Sequence, residues 1–171
     1  QNATFFIGIA YAFGDVAAFQ TNKMLHIVSA RSDSIHIAKT KQVLPADSYN
    51  EVEYKGNDTR IQNVYKAGTA GHTVKVAIGG SQGTIELIVG VDAEGAVSGI
   101  SIVSHSETPG LGANAQKESW LSQFNGQSGV LSVVKNAPQA GQIHAVTSAT
   151  KTSKAVVNAV NQALEVAATL A

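Results

Sequence analysis

The chain contains no cysteine, which excludes disulfides, thiolate catalysis, iron–sulfur ligation and cysteine-based zinc sites within it. Any redox chemistry must come from a bound cofactor. Net charge is missing too: Lys+Arg 12 against Asp+Glu 12 leave the 171 residues formally neutral, and no basic stretch is interleaved with aromatics. Nucleic acid is therefore not an expected partner. Long apolar runs are scarce. The stretch from Ala3 to Phe19 has seventeen residues and one charge, Asp15, before the polar run Gln20-Thr21-Asn22-Lys23. A spanning helix needs about 20 mostly apolar residues. Composition leaves this segment open between a membrane anchor, a buried core helix and the remnant of a signal peptide; a signal peptide has a basic first region and a small-residue cleavage site, whereas this stretch opens with Gln1-Asn2 and runs into Thr21-Asn22-Lys23. In an anchor, Asp15 would face a partner subunit rather than lipid.

What remains is one domain's worth of chain, long enough to bury a core. Ile35 to Leu44 fits a helix tolerably and Pro45 ends it, while Val52 to Tyr54 and Ile61 to Ala67 are short strand candidates. Val74, Val76 and Ile78 alternate with polar or small residues, the cluster Gly79 to Gly83 turns the chain, and Ile85, Leu87, Val89 and Val91 alternate again. That pattern predicts a β-hairpin with one buried face. Asp92 to Gly95 turns once more into Val97 to Ser104, giving a three-strand antiparallel meander. The Gly79–Gly83 cluster is not read as a phosphate-binding glycine loop, because that fingerprint needs a following helix and this one enters a strand. Ala113 to Phe124 is predicted to be one helix, with Lys117, Trp120, Leu121 and Phe124 at helical spacing and Trp120 and Phe124 in the core. Lys154 to Leu170 is predicted to be a helix packing on the sheet through Val157, Val160, Leu164 and Ala167.

Two segments carry chemistry. The first is His105-Ser106-Glu107-Thr108-Pro109-Gly110-Leu111-Gly112, where Pro109 favours extended backbone at Thr108 and the glycines allow close approach to a flat ligand. The second is Thr147-Ser148-Ala149-Thr150-Lys151-Thr152-Ser153, five hydroxyls in seven residues ahead of the last helix. A helix entrance has unpartnered N–H groups and the positive end of its dipole, so hydroxyls there serve either as caps or as part of an anion site. His105 and Glu107 lack ligand or acid/base spacing with His26, His36, His72 and His144, and Ser104 lacks a nucleophile elbow. No metal site and no catalytic side chain is expected.

Together the His105–Gly112 loop and the Thr147-Ser148-Ala149-Thr150 motif, about forty residues apart, resemble the FMN-binding domain of the Rnf complex G subunit. The C subunit of the sodium-pumping NADH:quinone oxidoreductase is a close relative of that family. Val43-Leu44-Pro45, Val64-Tyr65-Lys66-Ala67 and Val89-Gly90-Val91-Asp92 extend the likeness to about Leu164. The resemblance implies an α+β fold, an antiparallel meander flanked by helices, behind an N-terminal transmembrane helix. It divides the chain into an anchor at 1–22, a connecting segment at 23–44 and an FMN-binding domain at 45–171.

It further implies FMN joined by a phosphodiester to Thr150, which closes the family's Ser/Thr-Gly-Ala-Thr pattern. The helix start at Thr152–Lys154 would hold the phosphodiester by backbone N–H groups, with Lys151 as candidate counter-charge and Thr147, Ser148, Ala149, Thr152 and Ser153 among the cofactor-binding residues. Thr108, Leu111 and the backbone of Gly110 and Gly112 would flank the ring, with His105 and Glu107 of the same loop also among the cofactor-binding residues. Two positions depart from the pattern: His144 stands where Asp is usual, three residues before the motif, and Ser148 where Gly is usual. The implied protein is a flavoprotein subunit of an ion-translocating ferredoxin:NAD+ oxidoreductase, partnered by membrane subunits carrying flavin and iron–sulfur centres. It would be anchored once in the bilayer of a bacterial or archaeal cytoplasmic membrane, its domain on the outer face. The alternatives are the quinone-reductase C subunit, or an FMN-binding regulatory or structural subunit of another membrane assembly.

Overall fold

In the computed structural model, residues 37–170 are described, and those from Ala38 onward belong to one compact unit. Its centre is an antiparallel meander of five strands in sequential order: β1 (Asn50–Glu51), β2 (Ile61–Ala67), β3 (Gly71–Gly79), β4 (Thr84–Asp92) and β5 (Val97–Ser104). The predicted three-strand meander is thus β3–β5, extended on one side. The candidate strand at Val52–Tyr54 proves to be Asn50–Glu51, although the Val52 N–H still donates to the Val64 carbonyl at 2.8 Å.

The expectation of one buried face fails at β4, where Leu87 to Val91 are all buried. The sheet is covered on both sides, so its central strands bury nearly continuously. On the front, helix α3 (Thr150–Leu170) lays Val156, Val160 and Ala163 against Val74, Val76, Leu87 and Val89. On the back, a first helix α1 (residues 38–43) brings Val43 and Leu44 onto Ala67 and Ile88. Ser98 Oγ donates to the Val43 carbonyl at 2.6 Å, and Lys39 Nζ to the Ile102 carbonyl at 2.6 Å.

The helix predicted over Ala113–Phe124 is broken into a 3-10 turn (Gly112–Gln116), a single α-turn α2 (Glu118–Leu121) and a second 3-10 turn (Ser122–Phe124). Lys117 between them is extended, at φ −70° and ψ 133°. The break re-aims the chain: Ala115 is buried in the first piece, and Trp120, Leu121 and Phe124 are buried after it. Trp120 and Phe124 meet edge to face, centroids 5.3 Å apart, in the core position expected of them.

Two further strands, β6 (Ser132–Val134) and β7 (Gln142–His144), pair in parallel with Val134 opposite His144. They run into α3, which begins at Thr150, four residues ahead of the predicted start. No helix among the described residues is long and apolar enough to cross a membrane; the expected anchor at 1–22 lies outside them.

Candidate functional site

Glu107 lies at the centre of the region to which both motifs contribute. The residue is 5% exposed, and its carboxylate takes three hydrogen bonds from two distant parts of the chain. Oε1 accepts from the Ser81 N–H at 2.7 Å and the Gln82 N–H at 3.0 Å, both in the β3–β4 turn. Oε2 accepts from the Thr152 hydroxyl at 2.5 Å, in the first turn of α3. Burial by itself raises a carboxyl pKa, but donation from the Gln82 N–H, the Thr152 hydroxyl and the Ser81 N–H, with His105 nearby, outweighs it. Glu107 is therefore held below its ordinary value and is ionised at neutral pH.

Two glycines make room for it. A Cβ on Gly80 would collide with Oε1, and a Cβ on Gly112 would collide with Oε2 and sit 2.8 Å from Thr152 Oγ1. The Gly79–Gly83 turn does bind an anion through its amides, as glycine-rich turns can. That anion is the chain's own carboxylate.

The hydroxyl cluster divides in two. Thr152 and Ser153, 1% and 0% exposed, are interior groups rather than caps. Thr152 is committed to Glu107, while Ser153 Oγ donates to the Ala149 carbonyl at 3.0 Å and accepts from the Val146 N–H at 2.9 Å. They are not caps because the helix already starts at Thr150. Thr147 and Ser148 are exposed and Thr150 is half-buried. Ser148 has φ +60°, the left-handed conformation glycine takes most readily, at the position where the resemblance expects glycine. The Ala149 N–H closes the turn onto the Val146 carbonyl at 3.0 Å.

Thr147, Ser148 and Thr150 line a recess of about 360 Å³ whose other charged or titratable side chains are Lys135 and His144. No carboxylate lines it, and Glu107 is turned inward to Thr152. This donor set suits a phosphate: hydroxyls and cationic or imidazole groups at the start of a 21-residue helix.

The expected site residues are thus only partly assembled. Glu107 and Gly112 meet the first turn of α3 at Thr152. Ala149 is buried, Lys151 is exposed, and neither lines the recess. His105 is held by the loop itself: its Nδ1 accepts from the Glu107 N–H at 3.2 Å, leaving Nε2 to donate to Gln116 Oε1 at 3.2 Å. Thr108, Gly110 and Leu111 form an exposed tip, closed by the Leu111 and Ala113 N–H groups on the Thr108 carbonyl at 3.2 and 3.1 Å. Leu111, 44% exposed, is available to a ligand or partner surface. Sequence reasoning did not find Lys135, whose place follows only from the β6–β7 pairing.

Residues 80–165 match the FMN-binding domain family. Among similar proteins, the G subunit of the proton-translocating ferredoxin:NAD(+) oxidoreductase complex of Clostridium ljungdahlii is 44% identical over 121 residues, 70% of this chain and 64% of that protein. The G subunit of the Na(+)-translocating ferredoxin:NAD(+) oxidoreductase complex of Acetobacterium woodii is 42% identical over 101 residues, 56% of this chain and 48% of that protein. The chain therefore spans less than two thirds of these two relatives. The G subunit of the ion-translocating oxidoreductase complex of Aliivibrio fischeri is 31% identical over 183 aligned positions, 95% of this chain and 82% of that protein. In fold, the chain is similar to NqrC of Shewanella oneidensis, with a TM-score of 0.55 at 21% identity over 74% of this chain and 68% of that one.

Proposed function

The chain belongs to the FMN-binding domain family, and on that footing we propose that it carries FMN as a phosphodiester on Thr150 within an ion-translocating oxidoreductase complex of the ferredoxin:NAD+ class. The observation that carries the attachment point is the division of the hydroxyl cluster. Thr152 and Ser153 are buried and hydrogen-bonded, whereas Thr150 sits on the first turn of α3 at the wall of an acid-free recess. Bound there, FMN supplies the electron-carrying chemistry.

Attachment forms the Thr150 Oγ1–phosphorus bond and breaks the phosphoanhydride of an activated flavin donor; the hydroxyl proton leaves with the displaced phosphate. A diester keeps one negative charge, which the N–H groups at the start of α3 and the neighbouring cations stabilise. The exposed Thr108–Leu111 tip offers the Leu111 side chain to the ring. Glu107 holds that loop, the β3–β4 turn and α3 in one arrangement. No side chain acts as acid, base or nucleophile in electron transfer. The partners are other membrane subunits with flavin and iron–sulfur carriers, and the domain lies on the outer face of the cytoplasmic membrane.

Intact-mass measurement tests the assignment. Protein from native membranes should carry one FMN less water, with flavin fluorescence following the chain through a denaturing gel and disappearing in Thr150→Val. A dark native band would defeat the reading.

A further inference from the structure

From the recess beside Thr150 we infer that Lys135, with the His144 imidazole next to it, is the counter-charge for the flavin phosphodiester, in the place that sequence alone gives to Lys151. The inference rests on the Thr150 reading and deepens it.

The parallel strands carry the argument. β6 and β7 end side by side, Val134 opposite His144, and the Ala145 N–H donates to the Val134 carbonyl at 2.8 Å, extending the ladder by one residue. Lys135 therefore leaves β6 level with the segment Ala145–Val146, just where the chain turns through Ser148 into α3. Ligands of strand–turn–helix units commonly lie beyond the carboxyl ends of parallel strands, against the helix start. Here the neighbouring strand contributes an ammonium group to that place.

The main chain of His144 is fixed from both sides. Its N–H donates to Gln123 Oε1 at 2.9 Å, and its carbonyl accepts from Trp120 Nε1 at 2.8 Å. The residue is exposed and lines the recess from a fixed base. Among the described residues Lys135 has no ion-pair partner, and the recess holds no carboxylate to compete for it. Lys151, one residue beyond Thr150, lies outside the recess lining. An uncommitted ammonium, an imidazole and accessible hydroxyls around an acid-free hollow match a phosphate monoanion.

Amine footprinting on the native chain provides the test. The chain, co-expressed with a flavin transferase, and its Thr150→Val variant are acylated with a lysine reagent, and the modified peptides are quantified by mass spectrometry. A nearby phosphate favours the charged ammonium, so Lys135 should react about threefold or more slowly in the flavinylated chain, with Lys151 and Lys154 nearly unchanged. Lys135→Arg should keep flavin incorporation, while Lys135→Gln should slow it with its thermal melt intact. Equal Lys135 reactivity in the two proteins, or protection of Lys151 instead, overturns this inference alone. A native chain without the FMN mass increment overturns the Thr150 reading and this inference with it.

Discussion

Replacing Glu107 by glutamine keeps the shape that fills the space between Gly80 and Gly112, removes the charge, and turns one acceptor oxygen into an NH2 group that can donate to the Thr152 hydroxyl oxygen while the amide oxygen still accepts from the β3–β4 turn. The carboxylate accepts three hydrogen bonds in the structure, two from the β3–β4 turn and one from α3. Bonds to a charged group contribute about 1.5–3 kcal/mol each and neutral ones about 0.5–1.5 kcal/mol, so neutralisation removes roughly 1 kcal/mol per bond. Easier burial of the neutral amide offsets part of this. A net loss of about 1–3 kcal/mol follows at pH 7, which for a unit of this size lowers Tm by about 4–12 °C. The pH dependence separates charge from packing. Because the folded-state value of Glu107 is depressed, its contribution is complete above the ordinary carboxyl value of 4.5 and is lost as pH falls through the folded value. The Tm difference between wild type and Glu107→Gln should therefore be constant from pH 7 to about 5 and close at lower pH, where the protonated acid resembles the amide. Asp58 is also held low by Arg60, but it is common to both proteins and cancels in the difference. Calorimetry across this range is the assay. A difference that persists undiminished to about pH 3, or none at pH 7, would refute the reasoning.

Three other substitutions bear on the same architecture. Ser148→Gly relieves a left-handed residue at φ +60° and should stabilise the unit by about 1 kcal/mol in chemical denaturation, with flavin incorporation retained. Gly112→Ala drives a methyl group into the Glu107 carboxylate; it should destabilise by about 1–3 kcal/mol, and slower flavin incorporation should accompany the lower melt. Thr73→Val removes a buried hydroxyl that has no hydrogen-bond partner among the described residues, and a urea midpoint should rise by the equivalent of about 1–2 kcal/mol.

The sheet was legible in the sequence because β3, β4 and β5 are long enough for alternation to show. At β4 that alternation understated the burial, since Ile88 packs on a back layer formed by Val43 and Leu44, over forty residues earlier. The start of α3 was obscured by Thr150, Thr152 and Ser153, which read as capping residues. Their hydroxyls are taken up by Glu107, Ala149 and Val146 or left facing the recess, contacts that local preference does not encode. β6 and β7, three residues each, are too short for any period, so Lys135 could not be connected with Thr150. Glu107 was visible as a motif residue but not as a clamp, because its partners stand 25, 26 and 45 positions away.

The tight fit around the Glu107 carboxylate also bears on how sequences of this family can drift. A side chain at position 80 or 112 collides with the acid while the acid is present, and loss of the acid leaves the Thr152 hydroxyl and two turn amides without their acceptor. Each single step is thus penalised by the others. Across descendants these positions should be inherited as a block: a bulkier residue at 80 or 112 should appear only where 107 is no longer glutamate, and intermediates carrying one change alone should be rare.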